Sequence, residues 1–412
     1  MQAHTSENLK VTKSEFKVML FCVANTVVQL FGIDIYIPSM PWIKENLHTT
    51  QMVVQLTIAL YMLGAALSVL FSGPLSDKIG RKPVIMMGLI GMIAGGILCL
   101  FTLDGPMLLI GRIIQGIGVG FCMGANRAIV TDVFSAKKLA AVGAYFGTIG
   151  SISPLVAPVL GGYLEHYFNW RANFVVLTFC YIILLITYQL FFHETIHTRH
   201  PDKLSFQFVL KRYLHIIRQS DFRVFAICGG LTLGIGIAYA TSAPYIFEKT
   251  LLMSPIAFGW LGIFVGAGNI AGKLTVPTFN KYFKMQTVLV TGLFIILFAG
   301  IFFAIALSFH WLSIPLVLLV VIATLFGQSY VAGNAFSMGV SPYRHMGGTA
   351  NALLSFSQMA LAFMISGILS FTSDHIPESY ALAGMYIIIG GVCLLVFLQY
   401  SRKIAKLLTT QH

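Results

Sequence analysis

Long apolar runs broken by short charged stretches set the pattern of this 412-residue sequence. A helical run of ~20 apolar residues spans the hydrocarbon layer of a bilayer. Twelve such runs can be laid out, over 16–37, 52–72, 83–101, 107–129, 140–164, 170–192, 222–247, 255–279, 285–307, 312–338, 348–373 and 380–401. The pattern predicts an all-α membrane protein of twelve transmembrane helices. The longest polar segment, 193–221, leaves six runs in 1–192 and six in 222–412. Its His193, His197, His200 and His215 have no cysteine and few carboxylates nearby, so it reads as a solvated linker with an amphipathic part, and no metal site is expected.

Composition supports that layout. With 57% hydrophobic residues and a mean hydropathy of +0.84, a water-soluble fold could not hide the apolar surface. The net charge of +12 would suit a nucleic-acid partner, but its distribution excludes one. Only Lys44, Arg171 and Lys249 fall in alternate loops, Arg112 falls inside a span, and the other cations gather on one side. By the positive-inside rule that side, with both basic ends and the 193–221 linker, is cytoplasmic. Lys10, Lys13 and Lys17 precede a run too long for a signal peptide, so 16–37 is taken as the first span. The six cysteines lie in apolar runs without ligand spacing. No paired carboxylates, metal cluster or nucleophile triad points to an enzyme, and no cofactor is implied.

Four features stand out. Gly73-Pro-Leu-Ser-Asp77-Lys-Ile-Gly80-Arg81-Lys82 reads as a tight charged turn between two spans. Asp34 is the one carboxylate placed inside a span, where insertion costs about 2.5–3.5 kcal/mol. It is either a cavity-facing proton carrier or an interfacial residue touching water. Arg112 lies at a similar depth and is expected to tune the proton affinity of Asp34, unless it serves to satisfy backbone carbonyls. Gly116, Gly120 and Gly124 form a stripe for close helix packing, and Pro154 with Pro158 should kink the fifth span. A cavity lining is expected from Gln29, Phe31, Gln55, Tyr61, Gln115, Tyr145, Tyr239, Tyr330, Asn334 and Phe356, with Asn126, Phe146, Asn269 and Gln358 as further candidates. Such an apolar, aromatic lining suits amphiphilic or cationic compounds. Two echoes, Gly272-Lys-Leu-Thr for the 73–78 stretch and Gly348-Thr-Ala-Asn for Gly147-Thr-Ile-Gly, indicate a six-span repeat.

Across essentially the whole chain the sequence resembles the major facilitator superfamily. The run Gly32-Ile-Asp34-Ile-Tyr-Ile-Pro38-Ser-Met-Pro41 is similar to the signature of Bcr/CflA-type drug:proton antiporters. Arg112-Ile-Ile-Gln115-Gly116 resembles the fourth-span arginine motif. Gly150-Ser-Ile-Ser-Pro154-Leu-Val-Ala157-Pro158-Val-Leu-Gly161-Gly162 resembles the fifth-span antiporter motif, with Ala157 where glycine is usual. The resemblance implies a proton-coupled exporter of lipophilic or cationic compounds in a bacterial inner membrane. Its partners would be a small-molecule substrate, protons and the bilayer, with a monomer as the working unit. It further implies a conformational latch of Gly73, Asp77, Gly80, Arg81 and Arg127, in which Asp77 faces Arg127 and the 347–348 helix start. The antiporter motif would seal a cytoplasmic-side contact. A dedicated exporter of an endogenous metabolite such as a siderophore, and a non-transporting sensor, remain as alternatives.

Overall fold

The computed structural model describes residues 12–135, 138, 142, 143, 146, 150, 152–196 and 206–409, with backbone alone at 206–209, 344, 345 and 403–409. The described residues form helices and connecting turns: α1 Lys13–Asp34, α2 Met40–Asn46, α3 Gln51–Ile79, α4 Arg81–Leu100, α5 Gly105–Val133, α6 Ser153–Phe168, α7 Arg171–Phe191, α8 Phe206–Ile217, α9 Ser220–Pro244, α10 Pro255–Tyr282, α11 Met285–Ser308, α12 Ile314–Val340, α13 Gly347–Thr372 and α14 Glu378–Thr409. Eleven are long and apolar enough to cross a membrane. The expected span at 140–164 meets α6 over Ser153–Phe168, and most of its first part lies outside the described residues.

Side chains that satisfy free backbone N–H groups mark where these helices start. Thr12 and Glu15 cap α1 reciprocally, at 3.2 and 2.7 Å. Asp104 accepts from Met107 N–H at 2.8 Å at the head of α5, and Ser254 from Ala257 N–H at 3.2 Å at the head of α10. Large apolar side chains such as Phe71, Ile90, Phe179, Phe264, Phe302, Phe371 and Leu395 point outward. In lipid the outer surface is the apolar one and backbone polar groups pair within each helix, so the arrangement is that of a multi-pass membrane protein.

The 73–82 stretch is not a turn. Residues 73–79 continue α3, with Pro74 inside the helix, and the chain breaks only at Gly80. There φ is 109°, a conformation open to glycine and strained for other residues. The Glu194 carboxylate then receives the Arg81 and Lys82 N–H groups at 3.0 and 3.2 Å, capping α4 where its dipole favours an anion. Pro154 falls in the first turn of α6, where no hydrogen bond is lost, so only Pro158 is interior.

Small residues let the helices close up. A Cβ on Gly116 would meet the Tyr61 carbonyl at 2.1 Å, and one on Gly120 the Ala65 carbonyl at 2.4 Å, so the glycine stripe of α5 lies directly on α3. Helices before the linker meet those after it along two seams, α3 on α13 and α6 on α10.

Candidate functional site

Arg112 is completely buried. It donates to the Gly32 carbonyl at 2.9 Å and to Gln115 Oε1 at 2.8 Å. Its guanidinium carbon lies 4.5 Å from the Tyr36 ring centre and 4.3 Å from that of Tyr61. Two aromatic faces stabilise a cation that water cannot reach. The expected Asp34–Arg112 pair does not form: among the described residues no ion pair links them, and Asp34 instead accepts from Ser153 Oγ at 2.8 Å. Helix geometry gives the reason. Residues two apart on α1 differ by about 200° around its axis, so the Gly32 side meets Tyr61 and Tyr181 while Asp34 turns away toward α6. Arg112 therefore takes the alternative role, holding the end of α1 through a backbone carbonyl.

Asp34 lines a cavity of about 730 Å³ enclosed by α1, α3, α5, α6, α9, α10, α12 and α13. Of the ten lining candidates, Gln29, Tyr61 and Tyr239 reach it. Gln115 is occupied with Arg112. Tyr330 is buried against Phe279 and Phe326, and Asn334 bonds to Asn280 and the Tyr330 carbonyl, so both pack against α10 rather than lining the cavity. Phe31 packs on the main core and Phe356 on the small cluster around Ile216 of α8. Tyr145 lies outside the described residues, as do His197 and His200. Asn126, Phe146, Asn269 and Gln358 line the cavity, together with Arg127, Lys273, Gln328 and Asn351, which were not expected there. Gln29 Nε2, Asn126 Oδ1, Gln328 Oε1 and Asn351 Oδ1 are buried without a partner. Four unmet polar atoms around an apolar wall can orient a small organic molecule while burial of its body supplies most of the affinity.

Gln55 lies elsewhere, in a polar seam between the segments either side of the linker. It donates at 2.6 Å to Glu378 Oε1, which also accepts from Gln51, and at 3.3 Å to the Thr241 carbonyl. Trp42 Nε1 donates to Glu248 at 3.2 Å, and Lys249 pairs with Glu45 while lying 4.9 Å above the Trp42 ring. This seam sits at the end of the bundle opposite the Gly80 break. The antiporter motif closes the same end: a Cβ on Gly161 would fall 1.7 Å from the Ile35 carbonyl, and one on Gly162 2.4 Å from that of Pro255. The motif thus seals the end away from the basic loops, rather than the cytoplasmic-side contact expected, because α6 packs antiparallel on the first half of α10. Among the described residues, a Cβ on Gly150 would meet Leu30 at 3.7 Å.

At the basic end, Asp77 pairs with Arg81 at 2.7 Å, and Arg81 also holds Asp132 at 2.9 Å. Asp77 does not bond to Arg127, which reaches across to Ser355 on α13 instead. The break at Gly80 brings Arg81 one turn beyond Asp77, nearer than Arg127 on α5. Asp77, Arg127, Gly347 and Gly348 nevertheless line one second cavity of about 470 Å³. Tyr213 on α8 donates to the Leu70 carbonyl at 2.8 Å. Arg81→Ala would leave Asp77 and Asp132 unpaired, each a quarter to a third exposed. It should cost about 2 kcal/mol, less than a fully buried pair, whereas Asp77→Asn, which keeps the Asp132 bond, should cost under about 1 kcal/mol. Thermal denaturation in detergent distinguishes the two; equal losses would mean that Asp132 is not a real partner.

The family model described as Major Facilitator Superfamily matches residues 22–367. The chain belongs to the major facilitator superfamily. This superfamily member is 24% identical over 375 residues to the multidrug resistance protein MdtL of Citrobacter koseri, covering 89% of this chain and 91% of that one. It is 27% identical over 349 residues to a bicyclomycin resistance protein homolog of Haemophilus influenzae, covering 84% of each. The xylose transporter XylE from E. coli shares the fold, with a TM-score of 0.71 at 12% identity over 93% of this chain and 96% of that one. The polar seam that the fold reveals escaped sequence reading because Glu248 and Glu378 sit at span margins, where charges look like ordinary loop residues.

Proposed function

We propose that this transporter-family protein is a proton-coupled exporter of small lipophilic compounds in a bacterial inner membrane, working by alternating access. The observation that carries the reading is the Asp34 carboxyl on the wall of a largely apolar cavity, bonded among the described residues to the Ser153 hydroxyl. Such a group can gain a proton on one side and lose it on the other. Residues 1–192 and 222–412 act as two six-helix halves joined by the 193–221 linker, and the cavity lies between them. The basic end is cytoplasmic, so the Gln51–Gln55–Glu378 and Trp42–Glu248 seam closes the external side. Opening outward requires breaking that seam and packing the Asp77–Arg127 region against α13. The relatives named for multidrug and bicyclomycin resistance support export as the direction. A substrate screen in inverted vesicles with an imposed pH gradient tests the proposal. Uncoupler-sensitive accumulation of at least one compound is expected. Accumulation indifferent to the gradient would refute proton coupling, and labelling of the linker from outside intact cells would refute the topology.

A further inference from the structure

The 193–221 linker has an amphipathic part that the proposed transport cycle leaves unused, and helix α8 supplies it. Around its axis, at about 100° per residue, its positions divide into distinct sides. Tyr213 and Ile216 face the bundle. Tyr213 donates to the Leu70 carbonyl of α3 at 2.8 Å, and Ile216 is buried with Phe222, Ala350 and Leu353. Leu210, Leu214 and Ile217 form the next side and are exposed. Lys211 and Arg218, also exposed, follow about 40–60° beyond Leu214. Arg218 keeps that register because its N–H still bonds to the Leu214 carbonyl, at 3.2 Å.

The depth of α8 indicates what covers its apolar side. Leu70 belongs to the apolar run 52–72, and Phe71 beside it points outward with the rest of the apolar outer surface. At about 1.5 Å of rise per residue along α3, Leu70 lies about 10 Å nearer the membrane centre than Asp77. At its other end α8 leads through Arg218 and Gln219 straight into α9, a helix long and apolar enough to cross the membrane. The Gln219 N–H on the Ile216 carbonyl, at 3.1 Å, holds that corner. Both anchors therefore stand at the edge of the bilayer. A strap running through water would need no apolar side turned away from the bundle. Cations on long stems beside an apolar stripe can reach phosphate while the stripe enters the acyl boundary. We propose that α8 is a membrane-surface helix: Leu210, Leu214 and Ile217 sit in the leaflet at the basic end, and Lys211 and Arg218 bind the headgroups of acidic phospholipids. The proposal stands independently of proton coupling.

The test uses the full chain in phosphatidylcholine nanodiscs, which expose both faces, with Cys180→Ser to remove the one cysteine that is not buried. A fluorescent label on Leu214→Cys should be shielded from aqueous iodide, whereas one on His215→Cys should be quenched freely. Nitroxide-bearing phosphatidylglycerol should quench the label at 214 as though enriched about fivefold or more over phosphatidylcholine bearing the same group, the worth of a cation near an anionic surface. Lys211→Gln together with Arg218→Gln should bring the two lipids level, and Lys211→Arg should keep the preference. Equal iodide quenching at 214 and 215 would overturn the proposal. So would equal quenching by the two lipids in the chain with both cations, or a preference that survives their loss. Shielding at 214 that arises in detergent without lipid and grows with protein concentration would assign the face to a second copy of the chain instead.

Discussion

Asp34→Asn is expected to abolish pH-gradient-driven export, bringing substrate accumulation down to the level seen without a gradient. The amide preserves the size of the side chain and still offers an oxygen to the Ser153 hydroxyl, 2.8 Å away in the native protein. What it removes is the ability to take up and release a proton. Because Asp34 has no bond to Arg112, the substitution leaves no buried cation newly unpaired, and the packing of α1 should survive. Exchange of substrate across vesicles without net proton movement should therefore persist. The measurement is paired: gradient-driven accumulation and substrate counterflow in the same inverted vesicles. Full accumulation in D34N would show that the proton travels by another group. Loss of both activities in a normally folded protein would mean that Asp34 acts in binding or packing instead.

Gly161→Val should be the most damaging single substitution in α6. A Cβ there would lie 1.7 Å from the backbone carbonyl of Ile35, which cannot swing aside as a flexible side chain could. Overpacking of a close core costs about 1–3 kcal/mol even when neighbours can shift, and here α1 and α6 must separate at the closed end of the bundle. Little monodisperse protein is expected, and what is recovered should melt earlier. Gly73→Ala is the counterpart: among the described residues nothing outside its own helix backbone lies within 4 Å of a Cβ there, although Gly73 belongs to the charged motif. Its stability should equal or exceed that of the native protein, since alanine favours helix by ~1 kcal/mol. Gel filtration and thermal denaturation of both variants check the contrast. Equal behaviour of the two would mean that the α1–α6 contact is looser than the structure has it.

Several sites were half legible. Asp34 stood out because a carboxyl in an apolar run needs a reason, and the structure gives it a cavity and one hydroxyl partner. Arg112 stood out on the same ground, but its partner could not be read, since either a nearby carboxylate or a carbonyl would satisfy it. Gln29 and Gln55 are alike in sequence, yet one lines the cavity and the other joins the seam to Glu378. The axial twist of α1 and α3 against their neighbours decides between such positions.

The sequence by itself determined the membrane as solvent, the approximate bounds of most helices and the family, whereas the continuation of α3 through Pro74 to Ile79 and the break at Gly80 came from the structure. The first three follow from local facts: the length of apolar runs, the distribution of charge and the motif residues. Only the tertiary structure decided that Arg112 serves Gly32 rather than Asp34, that Lys273 and Arg127 face one cavity, and that Gln51 and Gln55 meet Glu378. The physical reason is that each depends on how a helix is rotated against partners distant in the sequence, from 80 residues for Arg112 and Gly32 to 327 for Gln51 and Glu378. Apolar periodicity separates lipid-facing from buried positions, but it does not distinguish a buried face that packs from one that borders a cavity.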